Sequence, residues 1–285
     1  MKKAKKKGRL GEVWHQFKKN KMAILGMIIV ILLIIVAIIA PLIAPYSYDT
    51  QDLSNSFAGP SREHLLGTDK FGRDTLSRLL WGSRNSLIMG LGCVALGSAI
   101  GITIGSIAGY FGGAVDNVIM RIMDIMSCIP MLLMCVVIAA VLGPSIRNAI
   151  IAIAISTTPS AARLIRANIL TVRDNEYVEA AKAIDGSNAH IILKHILPNA
   201  IAPSIVSMTM NIGNSIISGA TLSFIGLGAQ PPTAEWGAML SEGRNLMREH
   251  MDLVLLPGIC IMISVLAFNM MGDGLRDALD PRLKN

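Results

Sequence analysis

Catalysis needs titratable or nucleophilic groups held together, and the 285 residues of this chain hold few such sets. The five histidines (His15, His64, His190, His195 and His250) show no metal-ligand spacing. His190 and His195 stand five apart rather than four, so an α-helix does not bring them onto one face. Gly67-x4-Gly72-Arg73-Asp74-Thr75 echoes a phosphate-binding loop, but its lysine is missing and no strand pattern precedes it. The sequence contains no HExxH, no GxSxG and no complete Walker A. Cys93, Cys128, Cys135 and Cys260 lie in apolar runs without CxxC spacing, which points to neither a disulfide framework nor a zinc site. The expectation is a chain that is not an enzyme and binds no cofactor or metal of its own.

Two polar patterns remain. One is Asp174 to Pro198, DNEYVEAAKAIDGSNAHIILKHILP, a charged stretch between apolar runs that must leave a bilayer. Its pattern predicts a helix, a turn and a second helix. Asp174 is placed to cap the first helix, on which Tyr177, Ala180, Ala181 and Ile184 share a face away from Glu176, Glu179 and Lys182. Ala180, Ala181 and Ala183 form a small-residue patch that a partner's backbone could approach. Asp185-Gly186 is the turn, and Ser187 or Asn188 caps the second helix. That helix carries an apolar stripe, Ala189, Ile192, Leu193 and Ile196. Pro198, without a backbone donor, ends it or opens the next helix. The segment is a docking elbow or a solvated connector. The second pattern, Asn211, Asn214, Ser215 and Ser218, follows i, i+3, i+4, i+7 spacing and reads as a pathway lining or as interhelical hydrogen bonding.

What must position these residues is a membrane. The chain is 52% hydrophobic and 16% charged, and its net charge of +7 owes much to the lysines and arginine before residue 22. That clustering fits a cytoplasmic N-terminus and attraction to anionic headgroups rather than nucleic-acid binding. Residues 1–21 are therefore expected to be a basic cytoplasmic tail, and 22–44 a retained first span, longer than a signal peptide's apolar core of about 7–15 residues. Residues 45–83 form an expected external loop with an interfacial helix capped by Asp74. A second span starts near Ser86 and carries Gly97, Gly101, Gly105 and Gly109 along one side, a close-packing seam. A third span covers about 118–142, where Arg121 and Asp124 are expected at the cytoplasmic edge or facing the bundle interior. A fourth covers about 146–164 with a kink at Pro159. The fifth and sixth spans run about 200–222 and 253–271, separated by a Gly- and Pro-rich external loop expected to lack regular structure. The prediction is an all-α multi-pass protein of about six transmembrane helices. Crossing parity then puts the elbow and the tail, 276–285, in the cytoplasm.

The elbow also resembles the EAA loop of ABC-importer permeases, matched here by Glu179, Ala180 and Ala181 and by the closing Leu197-Pro198. Asp185 stands at the family's glycine position with Gly186 one step later, and His195 replaces the usual isoleucine. LGTDKFGRDTLSRLLWGSRNSL, LSFIGLGAQPPTAEWGAM and GLRDALDPRL are similar to the C-type permease subunit of dipeptide and oligopeptide importers. The resemblance covers almost the whole chain. It implies a type-I importer permease core over 84–275, within a bacterial-type inner membrane, that forms half of a translocation pathway. It implies as partners a second, related permease, two cytoplasmic ATPases holding ATP and Mg, and an extracytoplasmic substrate-binding protein. It implies peptide as the substrate, with nickel or another small solute as the alternative. A gradient-driven carrier would need midplane charges or inverted repeats, which the spans lack.

Overall fold

The computed structural model describes residues 9–184 and 186–279, and every regular element among them is helical. The first described element is α1 (Arg9–Phe17), a helix within the stretch expected to be a basic tail. The first span, α2 (Lys21–Ile43), starts where Asn20 accepts hydrogen bonds from the amides of Met22 and Ala23. At 1.5 Å per residue its 23 residues extend about 35 Å, enough to cross a hydrocarbon core.

The second span corrects an expectation. Asp74 does cap a helix, accepting from the Ser77 amide at 2.7 Å, but that helix does not end at the interface. It runs unbroken as α3 (Thr75–Phe111), 37 residues and about 55 Å long. The polar residues that looked like a break find partners far along the chain. Asn85 donates to the Ala234 carbonyl at 2.6 Å, and the Ser86 hydroxyl donates to Glu235 at 2.8 Å.

The predicted third span is not one rod. It divides into α4 (Gly113–Ser127) and α5 (Met131–Leu142), which meet at 89°. Pro130 cannot donate into the preceding turn, so the helix breaks there. In α4, Asp116 is buried while Val115, Val118, Ile122 and Ile125 stay exposed, an amphipathic division that a hydropathy run does not reveal. The fourth span, α6 (Ile146–Leu170), passes through Pro159 as one helix and extends past the predicted Leu164. The hydroxyls of Ser156, Thr157 and Thr158 each donate to a carbonyl one turn back. Arg163 and Arg166, near its far end, reach Asp124 and Asp116 of α4.

The elbow follows as α7 (Glu176–Ala183), α8 (Asn188–Ile191), a π-turn (Ile192–Ile196) and α9 (Leu197–Ala200). It bends by 66° into the fifth span, α10 (Ala202–Phe224). The loop expected to be irregular contains α11 (Trp236–Gly243), whose first amides at Gly237 and Ala238 are capped by the Glu235 carboxylate. The last span, α12 (Asp252–Leu279), continues beyond the predicted Met271. Among the described residues, four continuous helices and two bent pairs make up to six crossings, in agreement with the sequence count.

The spine of the bundle is the α3–α6 pair. A Cβ on Gly101 would lie 2.4 Å from the Ala161 Cβ, and one on Gly105 would lie 2.4 Å from the Ala162 carbonyl oxygen. Only glycine lets the two backbones approach so closely in lipid, where dispersion and close packing drive helix association. At one end of the bundle, α11 is tied to the start of α3. The Trp236 indole donates to the Leu79 carbonyl at 3.1 Å beside Gly82. Beneath it, buried Arg73 and Arg78 share the carboxylates of Asp69 and Glu242, with Arg73–Glu242 at 2.6 Å and Arg78–Glu242 at 2.8 Å. The segment that echoed a phosphate loop is therefore a turn whose arginine is already occupied by carboxylates.

Two measurements of thermal stability on the purified protein test this packing. Gly105→Leu overpacks the seam and should cost at least 1–3 kcal/mol, as overpacked cores do, whereas Gly59→Ala, with no atom within 4 Å of its Cβ position, should be neutral. Glu242→Gln breaks a buried charge pair and should cost about 3–5 kcal/mol.

Candidate functional site: a helical elbow and a polar helix face

The elbow sits at the end of the bundle opposite α11, against the last turns of α3 and α6. It is anchored through one face of α7. Val178 is 0% exposed and Ala181 is 6% exposed, packed with Ile165 and Ile169 of α6, Ile191 and Ile196 of the elbow, and Ala200. This corrects the predicted face. Tyr177, Ala180 and Ile184 do point outward together, with Tyr177 at 42% and Ile184 at 81% exposure, but Ala181 turns into the chain's own core. Val178 and Ala181, three apart, form the buried edge, and the sequence reading had not weighed Val178.

The caps differ too. Asn175, not Asp174, occupies the N-cap of α7 and makes no side-chain cap bond, while the Asp174 carboxylate lies 3.3 Å from Arg173. Ser187 caps α8 by accepting from the His190 amide, as expected. Asp185 lies outside the described residues. The Gly186 amide donates to the Ala181 carbonyl at 3.4 Å and closes the first helix.

The second half of the elbow owes its facing to the π-turn. Within it the Leu197 amide reaches back five residues, to Ile192. Five-residue spacing therefore replaces four, and Ile191 and Ile196 become the buried pair. Of the predicted stripe, Ile196 is buried, Ile192 is half-buried, and Ala189 and Leu193 are exposed. The same register brings His190 beside His195, ring centroids 5.6 Å apart and the rings tilted by 59°, contrary to the α-helical expectation. Leu197 is half-buried and Pro198 exposed at the start of α9. There the Asn199 amide donates to the His195 carbonyl at 2.7 Å.

Charge and hydrogen bonds hold the elbow to the bundle. The Tyr110 hydroxyl at the end of α3 donates to Asn188 at 2.8 Å, and Lys182 lies over the Tyr110 ring. Arg173 donates to the Gly109 carbonyl at 3.0 Å. Two turns before it, Arg166 grips Asp116 with two parallel hydrogen bonds, a geometry that fixes orientation as well as charge. Glu179, in the first turn of α7, remains exposed.

The polar row of α10 also divides. Ser215 is buried against the bundle. Asn211 and Asn214 are exposed, and their side-chain amides hydrogen-bond to no described residue. Ser218 is half-buried and donates to the Asn214 carbonyl. Ser207 and Thr221 extend the outward row at the same alternating spacing of four and three, a repeat that the sequence reading missed although it was visible. Asn211 opens into a recess of about 240 Å³ between α3, α6 and α10, shared with Ser98, Ser160, Ser204 and Ser207. Gly97, Gly101, Gly105 and Gly109 lie in the closed α3–α6 seam.

Residues 101–285 match the family described as binding-protein-dependent transport system inner membrane component. Residues 8–60 match the N-terminal transmembrane domain of oligopeptide transport permease C. The dipeptide transport system permease protein of Alkalihalophilus pseudofirmus is 48% identical over 274 residues, 96% of this chain and 90% of that protein. The glutathione transport system permease protein of Escherichia coli O157:H7 is 47% identical over 274 residues, again 96% of this chain and 90% of the relative. The fold resembles a chain of the inward-facing MetNI methionine ABC transporter, with a TM-score of 0.58 over 71% of this chain and 97% of that one at 17% identity. The helical bundle with its exposed elbow is thus the one found among ABC-transporter permeases, and this multi-pass membrane chain belongs to the family of binding-protein-dependent transport system inner membrane components.

Proposed function

We propose that this chain is one of two permease subunits of an ATP-driven importer for dipeptides or oligopeptides. The observation that carries the reading is the outward row on α10. Two asparagine amides without partners would be costly against hydrocarbon, so their face belongs against water, substrate or another permease. A second, related permease packed across that face would enclose a polar pathway, with Asn211, Asn214 and Ser218 along one wall. The peptide assignment draws on the relatives, since a dipeptide and glutathione both carry an ammonium, a carboxylate and amide groups.

In this reading the elbow faces the cytoplasm, together with both chain termini. Two cytoplasmic ATPases hold ATP and Mg, and a binding protein delivers substrate from the other side. The chain itself needs no nucleotide site, cofactor or metal. Tyr177, Ala180 and Ile184 would enter a groove of one ATPase, with Glu179 at its rim. Val178 and Ala181 fasten the other side of α7 to the end of α6, while Ile196 and Ala200 tie the elbow to the start of α10. Closure of the ATPase pair would therefore move α7, the end of α6 and α10 as one rigid body, which is alternating access without covalent chemistry on this chain.

Three substitutions and one uptake measurement test this in the reconstituted complex. Ile184→Asp places a charge in the outward face and should weaken ATPase engagement about thirtyfold or more, as loss of an interface centre worth about 2 kcal/mol does. Peptide-stimulated ATP hydrolysis would fall while the chain still inserts and melts normally, and full retained coupling would overturn the assignment. Ala181→Trp should instead lower the melting temperature, because it overpacks the buried edge. Asn214→Leu should reduce peptide uptake while leaving basal ATP hydrolysis in place. Uptake that persists without ATP but collapses with an ionophore would exclude the importer altogether.

A further inference from the structure

At the elbow end of the bundle, α1 lies across the start of α2 and the end of α12. Phe17 is buried against Ala23 and Ala278, with Gly274 so close that a Cβ there would sit 2.0 Å from the Ala23 Cβ. One side of α1 is thereby clamped. Beside this contact an open groove of about 330 Å³ runs between α1, α2, α10 and α12, walled by Val13, Trp14 and Phe17 and by Met27, Met271 and Leu275. The single hydroxyl in that lining, on Thr209, already donates to the Ile205 carbonyl at 3.0 Å. Nothing in the wall asks for a polar ligand.

The rim differs sharply. Trp14 is 46% exposed, and the Lys18 ammonium stands 5.0 Å from its ring centroid. Lys19 and Lys21 follow, and Lys2, Lys3, Lys5, Lys6 and Lys7 precede the helix in sequence. Among the acidic groups at this end, Asp277 accepts from the Asn20 side chain at 3.1 Å, and Asp273 and Glu12 also belong to these helices. The balance remains strongly basic. An apolar trough beneath an aromatic and a basic rim is complementary to a molecule with an apolar tail and an anionic head. The sequences outside the described residues, MKKAKKKG and DPRLKN, are too polar to fill such a trough.

We propose that this groove seats an acyl chain of an anionic phospholipid, with its headgroup phosphate held by Lys18 and Lys19. The site lies away from the polar row of α10 and from the docking face of the elbow, so it stands or falls separately from the transport reading.

The test uses the whole complex, purified and placed in nanodiscs of equal phosphatidylglycerol and phosphatidylethanolamine. Each lipid is supplied in turn with a photoactivatable group in its acyl chain, and labelled peptides are mapped. Phosphatidylglycerol should label the segments around Val13, Met27 and Met271. Reversing both charges, Lys18→Glu with Lys19→Glu, should reduce that labelling at least twenty-fivefold, taking the loss of each lysine charge as about fivefold before the added carboxylates repel the headgroup. Lys18→Arg with Lys19→Arg should retain it, and Met271→Trp, which fills the groove, should remove it. Equal labelling by phosphatidylethanolamine, or labelling indifferent to the charge reversal, would overturn the proposal. So would a polypeptide cross-linked in the groove in place of lipid. Should Met271→Trp fail to assemble, the exposed lysine pair decides the question alone.

Discussion

Everything else in this molecule hangs on the approach of α3 to α6. Hydrocarbon offers two apolar helices no hydrophobic reason to associate, so their contact must come from close packing. The glycine row from Gly97 to Gly109 supplies it along four turns, with the α6 backbone filling the space where side chains would stand. The consequence is directional. Because the helices touch backbone to backbone, their far ends, at Tyr110 and at Ile165 and Ile169, form one rigid shelf, and the elbow rests on that shelf.

Charge is then confined to the two ends of the spine, and it works differently at each. At the α11 end Arg73, Arg78 and Asp69 are almost wholly buried, Glu242 is partly so, and the four pair among themselves. Such a cluster gains little net stability over an apolar core, but it tolerates only one arrangement, because separating any member leaves a buried charge alone. It therefore specifies how the loop before α3 meets α11. At the elbow end the Arg166–Asp116 pair is partly exposed, and its neighbour Arg163–Asp124 is more so. Exposed pairs contribute little individually. They leave α4 more loosely held against the end of α6 than the elements at the locked opposite end.

The sequence made the membrane architecture legible because each crossing demands about twenty apolar residues, and a run that long is hard to miss. The glycine seam and part of the α10 row were equally plain, since their periods are those of a helix face. What escaped detection depends on distant partners or on local register. Asn85 and Ser86 look like an interruption until Ala234 and Glu235, about 150 residues away in sequence, arrive to satisfy them, so α3 seemed to end early. Hydropathy has no direction, so the 89° turn at Pro130 was folded into a straight span. The π-turn shifts the count from four to five, which moved Ile191 into the core, Leu193 out of it, and His190 onto His195.

The most informative of these misreadings is Ala181. A helix of two turns gives each face only two or three residues, and the four residues predicted as one surface straddle the boundary between anchor and exterior. A small residue at that boundary has a physical logic. Val178 and Ala181 bring α7 close against Ile165 and Ile169, and a larger side chain at 181 would lift the helix off its shelf. Lifting it would loosen the outward residues as well, because Tyr177, Ala180 and Ile184 owe their direction to the same short cylinder. Alanine in this loop therefore need not be in contact with a partner to matter for one. Its contribution is to hold the exposed residues at a fixed height and angle above the α6 end, which any load transmitted through the elbow requires.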